Sequence, residues 1–259
     1  MFAGCARRAF AILSPKIAKF SILSIDPSKK LVIKAYSPIK ISCLPSDQAD
    51  DPCAFLSDDS GFVLEDGSVF SQSLTSNPTK LAHIQLPAKR DVDIFQNSCA
   101  PSSFYNYEGS KANIKALGPL ILGKLKFSTL RIKCAADVQC DGYIQGNLSI
   151  ETSGSIYANN LIGEVCELNF GGPKCHVQSA YCEKMTLKAL PLVGTPESIE
   201  KNPLNIHFGT LRGHADIEVE EAANTDIGSF EGSLRIRQRL GNVAVHLAGV
   251  CPLLEIDVA

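Results

Sequence analysis

Phe208-Gly-Thr-Leu-Arg-Gly213 and Ile227-Gly-Ser-Phe-Glu-Gly232 are two versions of one hexad, set 19 residues apart. Each begins with a large apolar residue, carries a second apolar residue at position four, and closes on glycine. A short fixed period of this kind is the mark of a solenoid, in which each repeat is one coil stacked on its neighbours. The closing glycine supplies a corner where the chain turns with positive φ.

The apolar pattern keeps the same beat. One residue per candidate strand gives Leu130, Leu148, Leu168, Leu187, Ile217, Ile236 and Ile256, at intervals of 18, 20, 19, 30, 19 and 20. These are expected to form one buried column. Two positions further on, Ile132, Ile150, Phe170, Ala189, Val219 and Val258 follow, with Gln238 as the one polar member. Strands in successive coils lie about 4.8 Å apart and alternate side chains inward and outward. The fold class is therefore all-β: a single-stranded, parallel, β-helix-like solenoid with rungs of about 19 residues, preceded by a short β segment. From His83 onward, about eight rungs make a column on the order of 40 Å tall.

The remaining organisation follows from punctuation. Residues 1–25 form a leader that contains Arg7, Arg8, Lys16 and Lys19 and no acid before Asp26. With Ser14, Ser21 and Ser24 among apolar residues, this is the composition of a mitochondrial transit peptide; the alternative is an unaddressed basic tail on a cytoplasmic protein. Residues 26–82 hold an N-terminal β segment and a linker. Leu31–Tyr36 and Ile39–Cys43 read as strands, and Phe62–Leu64 with Ser68–Phe70 as a hairpin across Glu65-Asp66-Gly67. Residues 83–259 form the repeat domain. The one long interval contains Pro191, Gly194, Pro196 and Pro203, so an insertion over about 191–205 loops out of the column.

Composition narrows the function classes. A net charge of −2 and no concentrated basic stretch give no electrostatic reason for nucleic acid as a partner. No run approaches the length of a membrane span. The ten cysteines lack C-x₂-C spacing and suit a buried structural role in a chain long enough to build a core without disulfides. Cys175, His176 and Cys182 are the nearest thing to a metal set, with only three ligands and no supporting motif. Nucleophile-elbow, phosphate-loop and zinc-protease motifs are absent. His207 and His214 flank the first hexad at strand or corner positions. Asn147-Leu-Ser149 is a glycosylation sequon that matters only in a secreted protein. No catalytic residue, cofactor-binding residue or metal ligand is assigned.

The alternation also predicts a charge ladder. If Ile217 and Val219 point inward, Asp216, Glu218 and Glu220 point outward. A rung later Arg235, Arg237 and Arg239 fall beneath them, and Glu255 and Asp257 beneath the first two of those. Opposite charges in register penalise slippage, which would bring like charges together.

Leu148-Ser-Ile-Glu-Thr-Ser-Gly-Ser-Ile-Tyr-Ala158, His207–Gly213 and Asp226-Ile-Gly-Ser-Phe-Glu-Gly-Ser-Leu-Arg-Ile236 resemble the repeats of the adhesin β-solenoid family, a domain family of unknown function. Ile84–Ile94 resembles that family's lead into its first coil. The order of features is most similar to its animal members, which are known by sequence similarity and expected in mitochondria. The resemblance spans about Leu31 to Val258 and implies a fold without implying catalytic residues. The proline-rich insertion departs from the usual repeat, and further strands or a cap are expected after Ala259.

The function expected from these features is that of a non-enzymatic scaffold or binding protein. A carbohydrate-active β-helix enzyme is the alternative, and it requires a groove with two or more unpaired carboxylates. A self-associating structural element is the third reading. In it, a final coil without a cap leaves an open edge and exposed apolar floor for a protein partner or a second copy.

Overall fold

The computed structural model describes residues 20–44, 53–57, 61–72, 81–189 and 203–258. The expected leader and most of the expected insertion lie outside the described residues. The short strands come first: β1 (Phe20–Ser24), β2 (Leu31–Ala35), β3 (Ile39–Cys43), β4 (Cys53–Ser57), β5 (Phe62–Glu65), β6 (Val69–Gln72), β7 (Ala82–Leu86) and β8 (Val92–Gln96). Whole coils follow as long bent strands: β9 (Ser102–Ala116), β10 (Leu120–Cys134), β11 (Val138–Thr152), β12 (Ile156–Phe170) and β13 (Lys174–Ala189). β14 (Leu204–Leu247) runs through successive coils without a break, and β15 (Leu253–Val258) follows it.

From β9 to β15 every neighbouring pair is parallel, which is the all-β solenoid expected from the hexads. Strands on both sides of residue 83 share one sheet: β2 pairs in parallel with β8, and β3 with β7 and β9. The predicted hairpin is β5–β6, antiparallel, with positive φ at both Asp66 and Gly67. That is the turn geometry an Asp-Gly pair favours. Gln72 ties the hairpin to the first corner, accepting hydrogen bonds from the Tyr36 and Ser37 amides at 2.8 and 2.9 Å.

The register corrects the expected column. Leu130 pairs with Leu148, but Leu148 pairs with Cys166, and it is Ile150 that pairs with Leu168. The series thus crosses between two adjacent columns. One runs Leu31, Val92, Ala112, Leu130, Leu148, Cys166, Met185, Ala215. The other runs Ile33, Ile94, Ile114, Ile132, Ile150, Leu168, Leu187, Ile217. Phe170 likewise belongs to a third column, with Cys134, Thr152, Ala189 and Val219. The physical reason is that the rung from Leu148 to Cys166 is 18 residues rather than 20, and cysteine fills a core position as a small apolar group. Leu148, Leu168, Leu187, Ile217 and Ile236 are all buried, as expected.

The long interval closes as the pairing of Leu187 with Ile217, so the insertion leaves the register intact. Gln238 keeps its place in the core with 3% exposure because every polar atom of its amide is bonded. It accepts from Thr225 Oγ1 at 2.8 Å and donates to the carbonyls of Ala223 and Leu240 at 2.7 and 2.9 Å. At the other end of the described chain, β15 is exposed throughout, including Leu253, Leu254, Ile256 and Val258.

Candidate functional site: a trough along the glycine corners

The glycine that closes each hexad shapes the surface as well as the turn. Gly213 and Gly232 have φ of +118° and +129°, and a Cβ on Gly232 would overlap the Gly213 carbonyl oxygen. Earlier on the same corner line, a Cβ on Gly163 would overlap the carbonyl of Gly146. Only bare backbone stacks this closely at the glycines, and Cys182, between Gly163 and Gly213 on that line, turns its side chain inward. The side chains before and after the line stand up as walls.

Between Ser128 and Glu183 these walls enclose a trough of about 520 Å³. One wall is the register line Gln145, Ile162, Tyr181, in which Ile162 and Tyr181 are each 40% exposed. The other wall carries Asn147, Glu164 and Glu183. Gly163 pairs with Cys182 across the corner, which sets Glu164 and Glu183 on successive rungs, about 4.8 Å apart at the backbone. Both carboxylates are exposed, and neither forms an ion pair among the described residues. Asn147 Oδ1 accepts from the Val165 amide at 3.2 Å, which fixes the side chain of the predicted sequon into the wall. The Arg212 guanidinium lies 5.7 Å from the Tyr181 ring centre and closes that end. Arg212 in turn meets Glu231 at 3.2 Å, one rung on.

The charge ladder is compensated in part, and Asp216, expected to face Arg235, keeps a buried Oδ1 without a hydrogen-bond partner. Arg235 pairs with Glu255 at 2.7 Å and Arg237 lies opposite Asp257, as the ladder predicts. Glu218 takes Lys188 on the preceding rung as its ion-pair partner at 2.7 Å, in place of the predicted Arg237 on the following rung. That hydrogen bond and charge hold the Glu218 carboxyl below the usual range, with Arg237 a weaker contributor. A second, more apolar groove of about 390 Å³ lies along Phe95, Lys115, Leu117 and Lys133. Its cations are engaged: Lys115 sits 5.7 Å over the Phe95 ring and Lys133 meets Glu151 at 2.6 Å.

Strand alternation separates Cys175, His176 and Cys182. Cys175 is fully buried, with burial pushing its thiol up, whereas His176 on the next position faces outward. Cys182 points inward, where it shares a hydrogen bond with Cys166 that, with burial, keeps Cys166 protonated. No group of three or more His, Cys, Asp or Glu residues suited to a metal occurs among the described residues. His176 instead stacks on His207, ring centres 4.8 Å apart and 12° from parallel, and His207 Nδ1 meets Asp226 Oδ2 at 2.9 Å. His214 is exposed one position beyond Gly213. The structure brings His207 and His214 to the two sides of one corner, not to each other.

The trough carboxylates Glu164 and Glu183 go unmarked in the sequence because the corner glycines below them, Gly146 and Gly163, do not close a recognisable hexad. Their spacing of 19 residues was the available signal. No family model, no curated protein and no solved structure matches this chain.

Proposed function

We propose that this chain is a non-enzymatic β-solenoid scaffold or binding protein of the adhesin-repeat type, acting inside mitochondria. The observation that carries the reading is the trough itself, whose walls set Ile162 and Tyr181 against Asn147, Glu164 and Glu183. A rigid column with a concave strip of this kind suits recognition, for which pockets combine apolar wall with a few polar groups. The unpaired carboxylates Glu164 and Glu183 are also the feature that the carbohydrate-active enzyme alternative requires, and release of shortened sugars from an oligosaccharide by the full chain would favour that alternative. The address rests on the basic, acid-free composition of the leader.

Proximity labelling of the full-length protein in living cells, with mass spectrometry of the labelled proteins, tests the scaffold. A reproducible partner set supports it, and labelling no different from that of an inert mitochondrial protein removes it. A fusion of residues 1–40 to a fluorescent protein is expected in mitochondria, and lost from them when Arg7, Arg8, Lys16 and Lys19 become glutamine. Cytosolic fluorescence from the unmutated fusion favours the cytoplasmic alternative.

A second reading, self-association, is favoured by β15. Leu253, Leu254, Ile256 and Val258 present an apolar strip on a strand that pairs, among the described residues, with β14 alone, a combination that invites another strand. Sedimentation is expected to show association that strengthens with concentration. A stable monomer throughout the micromolar range ends this reading.

A further inference from the structure

We propose that the corner trough between Ser128 and Glu183 binds a neutral oligosaccharide, laid along the column axis. The proposal deepens the binding-protein reading and rests on it. Three features of the trough select this class of ligand.

The first is the pairing of surfaces. Ile162 and Tyr181, the latter with Arg212 over one side of its ring, offer a partly exposed aliphatic and aromatic wall, on which the C–H face of a pyranose ring packs. The facing wall offers Asn147, Glu164 and Glu183, planar groups able to bond vicinal hydroxyls in pairs. The second is the repeat. The carboxylates Glu164 and Glu183 stand one rung apart, about 4.8 Å at the backbone and close to the length of one sugar unit, so each meets a successive sugar. The third is charge. Glu164 and Glu183 stand on adjacent rungs without a cation, so acidic glycans, nucleic acid and acidic peptides are repelled. An extended peptide is disfavoured further: the corner backbone is stacked rung on rung, and the trough offers no free strand edge for a peptide to join.

The test uses the full chain against immobilised neutral oligosaccharides of varied linkage, with polyuronate oligomers and a peptide library in parallel. Binding is expected to at least one neutral oligosaccharide and to no polyuronate. Tyr181→Ala is expected to weaken it about tenfold, as loss of one ring-stacking contact implies. Glu183→Gln is expected to change its selectivity between epimers, because one bonded hydroxyl loses its charged acceptor. Both residues are exposed, so thermal unfolding serves to verify that each variant remains folded. Absence of any neutral ligand, full affinity in a folded Tyr181→Ala, or preference for peptides overturns the proposal. If proximity labelling yields partners while no sugar binds, the trough assignment falls and the scaffold reading stands. If sugar binds while labelling yields no partner, the trough stands and the protein scaffold falls.

Discussion

Arg235 Nε donates to Glu255 Oε2 at 2.7 Å, joining side chains 20 residues apart on facing strands of consecutive rungs. The bond reports the register: a slip of one residue turns Glu255 to the opposite face and Ile256 outward. Both side chains are substantially exposed, so the pair acts on alignment more than on overall stability. Arg235→Glu is expected to lower the thermal midpoint slightly and to increase the salt dependence of stability. Adding Glu255→Arg is expected to restore much of the loss. A double variant no better than the single one contradicts the adjacency.

Gly232 tests the corner. Its φ of +129° and the Gly213 carbonyl above it leave no room for a Cβ. Gly232→Ala is expected to destabilise by about 1–3 kcal/mol or more, measured by urea denaturation, because backbone strain and steric overlap act together. An unchanged midpoint means that the corner is not tightly stacked.

Gln238 tests a buried amide in the core near the last rungs. Gln238→Ala removes the partner of the Thr225 hydroxyl and of two carbonyls while opening a cavity. A loss of roughly 2–4 kcal/mol is expected, since buried groups left without partners cost more than a bond contributes. Gln238→Leu with Thr225→Val removes both side-chain polar groups and is expected to recover part of it.

The Lys188–Glu218 pair gives a pH dependence. The folded Glu218 carboxyl is held below its ordinary value by the Lys188 hydrogen bond and charge, so its contribution is present above about pH 4.3 and lost as pH falls through the lowered folded value. Lys188 is raised by the same bond, so its contribution is present below about pH 10.4 and lost as pH rises beyond that. Both are exposed, so the effect is small and fades in high salt. Lys188→Met is expected to flatten the acid limb of the denaturation midpoint against pH. An identical acid limb in the variant removes the pair from consideration.

Coil period, parallel stacking and part of the acid–base ladder were legible along the chain because each depends on residues repeating at nearly fixed spacing. Phe208–Gly213 and Ile227–Gly232 announce the rung, and the alternation of Asp216, Ile217, Glu218 and Val219 announces which side chains face out. Local backbone preference and strand alternation act within a few residues, so a single chain read in order carries them. The assignment of Leu148 and Leu168 to different columns was not legible, because rung length varies between 18 and 20 residues and Cys166 passes for an accident of composition. Nor was the choice of Lys188 over Arg237 by Glu218, a competition between the rungs on either side of it. The trough was least visible. Tyr181, Glu164 and Glu183 become neighbours only when bare corners stack and leave a gap, and that gap comes from the close approach of backbones remote in sequence. Periodicity determined the column; only its stacking decided what the column presents to a ligand.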